Sequence, residues 1–202
     1  MFGKVASDMM GLSDIGTIVS PSEYHMVDSD DYVMHEDGEK IYFLIKSKSD
    51  EYCFTNKALI HLDGTSAMNK KRMLKRYSYK HNNFRNVRLE TAGNLDKDVE
   101  IKFYLGDVDY SIDVDKKQLE KLKDLYKALV KIGSMQYDND RMLEMSESSL
   151  SSTVQTLSAS RFEMTDDLFK KVNEYAFDWQ KDRYLEFNRE DFGEIYEKFI
   201  NE

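Results

Sequence analysis

Between Asp63 and Glu90 the chain carries eight cations and no acid: Lys70, Lys71, Arg72, Lys75, Arg76, Lys80, Arg85 and Arg88. Tyr77, Tyr79, His81 and Phe84 are interleaved with them. Clustered cations bind phosphate, and aromatics among them stack on bases. Lys75, Arg76, Lys80, Arg85 and Arg88 are therefore the candidate residues for binding an anion or a phospholipid headgroup. The competing reading is a solvated strand face neutralised by the chain's own acids. A formal net charge of −9 favours that second reading.

Other chemistries find less support. His25, His35, His61 and His81 are far apart in sequence and Cys53 is the one cysteine, so no metal site and no cofactor is expected. Asp28-Ser29-Asp30-Asp31 starts like a calcium loop, but Tyr32 takes the next ligand position and no glycine follows. No neighbouring cation in sequence activates Cys53. Neither a nucleophile elbow, a phosphate-binding loop nor a dinucleotide fingerprint occurs. No catalytic residue is assigned, and the expectation is a protein that is not an enzyme.

Composition bounds the class. The chain has 202 residues, 41% hydrophobic and 33% charged, enough for one good core or one domain with an appendage. No apolar run approaches the ~20 residues needed to span a bilayer. The N-terminal run, broken by Asp8 and Gly11, does not read as a signal peptide. A lone cysteine excludes an internal disulfide and points to the cytoplasm. The acidic balance disfavours both nucleic acid and an anionic membrane as partners.

The elements that must position these residues are strands first and helices after. Val99–Leu105 and Val108–Val114 flank Gly106-Asp107, a two-residue hairpin loop. Val108, Tyr110, Ile112 and Val114 alternate with polar residues, the period of a half-buried strand. Ile41–Lys46, Tyr52–Thr55, Ala58–Leu62, Lys71–Tyr79 and Val87–Thr91 bring the count to seven strands. Asp115 with Gln118 resembles a capping box, and Leu119, Leu122, Leu125, Tyr126 and Leu129 form one helical face. Gly133 is expected to end that helix. Val5, Met9, Met10 and Leu12 suggest a short N-terminal helix, and Ser20-Pro21 suggests another start, with Ser20 as cap. Ser146–Ser160, crowded with Ser and Thr, reads as a linker with a helix as its rival.

The tail is helical. Leu168, Val172, Tyr175, Ala176 and Trp179 form one stripe, and Phe192, Ile195, Tyr196, Phe199 and Ile200 form another after a start at Asn188 and Asp191. So much apolar surface packs either on the sheets or on another chain. Aromatics favour interface centres. Leu168, Val172, Tyr175, Trp179, Phe192, Tyr196 and Phe199 are the candidate oligomer contacts.

The segments FGKVASD, GLSDIG, DDYVMHEDGEKIYFLIKSKSDEYCFTNKALIHLDG, LKRYSY and LETAG…DVEIKF resemble the bacterial pleckstrin-homology-like family. KKVNEYAFDWQKDRYLEFN resembles the YvbH-like oligomerisation region. The resemblance implies an α+β, PH-like seven-stranded antiparallel barrel or sandwich capped by a C-terminal helix over residues 1–132. A helical hairpin over 133–202 would follow. It also implies cyclic homo-oligomers without catalytic activity, acting through an unknown protein partner. Phosphoinositide binding does not carry over, because the loop Lys46–Glu51 lacks the expected arginine and ends in two acids.

Overall fold

Eight antiparallel strands form two sheets in the computed structural model, which describes residues 15–64, 72–91, 98–159 and 165–200. The first sheet runs in sequence order through β1 (Thr17–Ile18), β2 (Ile41–Lys46), β3 (Glu51–Thr55), β4 (Ala58–Asp63) and β5 (Met73–Ser78). The second holds β6 (Phe84–Glu90), β7 (Asp98–Leu105) and β8 (Val108–Asp115). The seven expected strands are β2 to β8, and β1 adds a short edge. The fold is α+β, with antiparallel sheets followed by helices. The expected N-terminal helix at Val5–Leu12 lies outside the described residues.

Strand alternation is obeyed where it was strongest. In β8, Tyr110, Ile112 and Val114 are buried while Asp109, Ser111 and Asp113 are exposed. Leu105 pairs with Val108 across the hairpin, and Gly106 takes a φ of 61° that only glycine adopts without strain. The sheets meet through edge-on aromatic contacts, such as Phe54 and Phe103 with centroids 6.1 Å apart. Strand β6 starts at Phe84, earlier than expected, and a register shift between Arg85 and Arg88 with Asn86 at φ 51° marks a bulge.

Helix α1 (Leu119–Ala159) does not stop at Gly133. Its first turns bury Leu122, Leu125, Ala128, Leu129 and Ile132. A Cβ on Gly133 would sit 2.6 Å from the Phe84 carbonyl oxygen. The glycine thus permits close contact between helix and strand, and the helix continues. Nor does a capping box form at the start. Asp115 accepts from the Lys117 amide, but Gln118 turns to β1, accepting from the Ile18 amide (2.7 Å) and donating to its carbonyl (3.1 Å). Ser20 stands at the N-cap of the 3-10 helix Pro21–Met26 but its side chain caps no amide; its hydroxyl meets that of Ser22 in the first turn.

Helix α2 (Asp166–Phe187) starts at Thr165, whose side chain accepts from the Leu168 amide, and α3 (Gly193–Phe199) ends the described chain. The chain divides into two compact units, 1–133 with 190–202, and 134–189. The expected boundary put all of 133–202 in one helical extension. Residues 190–200 instead return to the sheet unit.

Candidate interaction surface

Unit 134–189 is built from the second part of α1 and from α2. Ser146–Ala159 is helix, not linker. Ser146, Thr153, Thr156 and Ser158 each donate a side-chain hydroxyl to the carbonyl four residues back. Those bonds let hydroxyl residues sit in a helix interior they otherwise disfavour. A cavity of about 530 Å³ lies between the two helices. Leu150, Val154 and Leu157 line it from α1; Val172, Tyr175 and Trp179 line it from α2. Leu168, the remaining expected contact on this stripe, is 40% exposed, and Tyr175 is 75% exposed.

No residue of α2 is buried, and among the described residues of this unit only Gln136 is. Burying one large apolar side chain is worth roughly 1.5–3 kcal/mol. This unit gains none of that from fully buried side chains of its own, whereas most helical stability in proteins comes from packing an amphipathic face. The arrangement presents apolar surface without covering it.

Phe192 and Tyr196, grouped with that surface by sequence, lie elsewhere. Both are fully buried in the sheet unit. Tyr196 stacks on Tyr42 at 5.4 Å, and Phe192 meets Tyr79 at 6.1 Å. The Phe192 amide donates to the Asn56 carbonyl (2.9 Å), and Asn56 Nδ2 donates to Asp191 (2.7 Å). The start expected at Asn188 with Asp191 falls at Gly193, with Phe192 at the N-cap position, and Asp191 accepts from the Gly193 amide. Phe199 is half-buried beneath the Lys198 ammonium. Core residues are not available to a second chain, so Phe192 and Tyr196 leave the set of candidate contacts.

The basic stretch disperses in three dimensions. Lys75 Nζ donates to Asp63 at 2.5 Å, and this bond raises the Lys75 pKa. Arg76 donates one nitrogen to both oxygens of the buried Glu39, each at 3.0 Å. Lys80 faces Glu190 at 3.7 Å; Arg85 bonds the Gly106 carbonyl and lies 3.9 Å from Asp107. Arg72 pairs with Asp28, in the stretch that resembled a calcium loop. Arg88 is exposed opposite Lys102, which itself holds Glu90 and Glu100. Sequence proximity gathered these cations, but four of the five candidates meet acids of this chain.

Potentially reactive groups are engaged in the fold. Cys53 is fully buried, and that burial pushes its thiol well above the usual range. His61 stacks on Tyr52 at 4.4 Å and bonds Asp50 at 3.0 Å. Burial acts to raise the Asp50 carboxyl, but hydrogen bonds from His61 and Ser49 outweigh it and hold the pKa below the usual value. Glu51 is likewise held low: burial is outweighed by the bonds from Lys46 and the Ser29 amide. Among the described residues, no three His, Cys, Asp or Glu converge as metal ligands. None of the described helices is long and apolar enough to cross a membrane.

The family model described as "Bacterial PH domain" matches residues 9–133, and that described as "YvbH-like oligomerisation region" matches 144–202. A Bacillus subtilis (strain 168) protein, "Uncharacterized protein YvbH", is 52% identical over the whole of both chains. A crystal structure of a PH domain containing protein from Exiguobacterium sibiricum 255-15 is 54% identical and superposes with a TM-score of 0.87. The match covers 93% of this chain and all of that one.

Proposed function

This chain belongs to the bacterial PH domain family, and we propose that it acts as a non-catalytic homo-oligomeric scaffold whose helical unit joins the subunits. The carrying observation is the absence of a buried apolar side chain in α2, beside its exposed aromatic and aliphatic residues. The match to an oligomerisation region suggests self-association. Leu168, Val172, Tyr175 and Trp179 are the contact residues in this reading. Subunits closing into a ring present the polar outer surface of the sheets repeatedly to a protein partner, and repetition raises avidity without strong single contacts. The engaged state of Cys53 and His61 supports a role without catalysis, and the lone buried thiol suits the cytoplasm.

Size-exclusion chromatography with light scattering tests this on the full chain. A discrete oligomer that Val172→Asp dissociates, with helical circular dichroism retained, supports the reading. A monomeric wild-type protein at micromolar concentration overturns it.

A further inference from the structure

The sheet unit holds a cavity of its own, of about 370 Å³. It lies where β1, β2 and the 3-10 helix Pro21–Met26 meet the first turns of α1 and the end of α3. Every residue that lines it belongs to the unit 1–133 with 190–202. At ~30 Å³ per water molecule, that is room for roughly a dozen. Packed interiors hold few voids larger than one water. A concavity of this size with a mainly apolar lining has the dimensions of a small-molecule site.

The lining says which small molecule. Ile18, Ile41 and Phe43 supply apolar surface, and three charged side chains join them: Lys121, Asp124 and Glu197. Asp124 is neutralised by Lys127 at 2.8 Å. Among the described residues, neither Lys121 nor Glu197 forms an ion pair. Lys198, next to Glu197 in sequence, lies over the Phe199 ring instead. Glu197 is nonetheless held in place. Tyr42 donates its hydroxyl to the carboxylate at 2.8 Å, and the Tyr42 ring stacks on the buried Tyr196. Tyr24 donates its own hydroxyl to the Tyr42 carbonyl at 3.3 Å. With both phenol protons engaged, the groups left to meet a ligand are one oriented carboxylate and one ammonium. A group oriented in advance loses less freedom on binding.

We propose that this cavity binds a small apolar zwitterion, a free amino acid with an aliphatic side chain. The ligand's ammonium faces Glu197, its carboxylate faces Lys121, and its aliphatic part lies against Ile18, Ile41 and Phe43. A simple amine would bring a positive charge beside Lys121 with nothing to offset it. A simple carboxylate would do the same with a negative charge beside Glu197. Like charges set together suppress the wrong ligand, and a ligand carrying both charges avoids both penalties. This site goes beyond the scaffold reading and does not depend on it.

Isothermal titration calorimetry on the full chain tests the site with matched probes. L-Norleucine carries both charges; n-pentylamine lacks its carboxylate, and hexanoate lacks its ammonium. Norleucine is expected to bind about tenfold or more tightly than either, the worth of a charge-assisted hydrogen bond. Glu197→Gln is expected to remove its advantage over hexanoate, and Lys121→Met its advantage over n-pentylamine. Both variants change exposed side chains, so the fold is expected to persist, and circular dichroism checks it. Val19 also lines the cavity, and Val19→Phe is expected to block all three probes. Equal affinity for the three probes overturns the proposal, as does a norleucine affinity unchanged in both charge variants. Norleucine that gives no saturable heat at millimolar concentration overturns it as well. The mass read by light scattering is independent of these results, so the scaffold reading stands or falls separately.

Discussion

The hydroxyls of Tyr79 and Tyr196 meet at 2.9 Å in the buried interior, although 117 residues separate them in sequence. Through this contact the last helix forms part of the core that the strands build. The whole excursion 134–189 leaves the sheet unit and comes back to it. Tyr196→Ala is expected to cost about 3–5 kcal/mol, the range for deleting a buried aromatic. Tyr196→Phe, which loses only the hydroxyl, is expected to cost about 1 kcal/mol. Denaturant unfolding measures both. Equal losses for the two variants would refute the packing role. It also follows that truncation after Gly133 destabilises the sheets themselves.

Gly133→Ala separates helix propensity from tertiary contact. In an exposed helix the change would stabilise by about 1 kcal/mol. Here the new methyl meets the Phe84 backbone carbonyl, which cannot swing aside as a side chain does. The expected outcome is a loss of about 1–3 kcal/mol, the usual cost of overpacking. A variant more stable than wild type in thermal or denaturant unfolding would count against the contact.

Arg76 discriminates between a binding surface and a structural ion pair. Glu39 is buried, bonded by Arg76, by Thr55 at 2.5 Å and by the Met34 amide at 2.8 Å. Removing the guanidinium leaves a buried carboxylate without its counter-charge. Arg76→Ala is expected to destabilise by about 3 kcal/mol, because its Glu39 partner is fully buried, whereas Lys75→Ala, at a half-buried pair whose acid still reaches solvent, is expected to cost about 1 kcal/mol. Similar small losses for both would restore the surface reading.

Acid sensitivity follows from Asp50 and Glu51. Their folded pKa values lie below the ordinary ones, so the unfolded chain binds more protons as pH falls. The stability they contribute is present above their unfolded values near about 4. It is lost as pH drops through the lower folded values. Unfolding free energy measured from pH 6 to pH 3 is expected to fall, and to fall less in Asp50→Asn, which has no charge to lose. An identical slope in the variant would remove Asp50 from this account.

The high-pH side has its own group. Burial first, and then the bond to Glu197, raises the Tyr42 pKa to about 12. A raised folded value contributes stability below about 10, the unfolded value, and loses it as pH climbs toward 12. Burial pushes Tyr24, Tyr52, Tyr79, Tyr110 and Tyr196 higher still, so spectrophotometric titration at the tyrosinate band is expected to lose only the step near pH 12 in Tyr42→Phe.

By itself the sequence determined the elements and the family. Strand alternation at Val108–Val114, the Gly106 turn and the apolar face at Leu122–Leu129 are local, because each residue's neighbours decide its conformation. Only the tertiary structure decided what covers each face. Periodicity marks Val172 and Phe192 alike as apolar, yet Phe192 is enclosed by Tyr79 and Asn56 while Val172 faces an open groove. Gly133 looked like a stop until Phe84 came within reach, and the Ser-rich stretch looked loose until its hydroxyls found backbone carbonyls. The cations from Lys75 to Arg85 looked like a site until Asp63, Glu39, Glu190 and Asp107 were brought beside them. Charge and apolarity are written residue by residue, but neutralisation and burial belong to pairs, and pairs far apart in sequence exist only once the chain has folded.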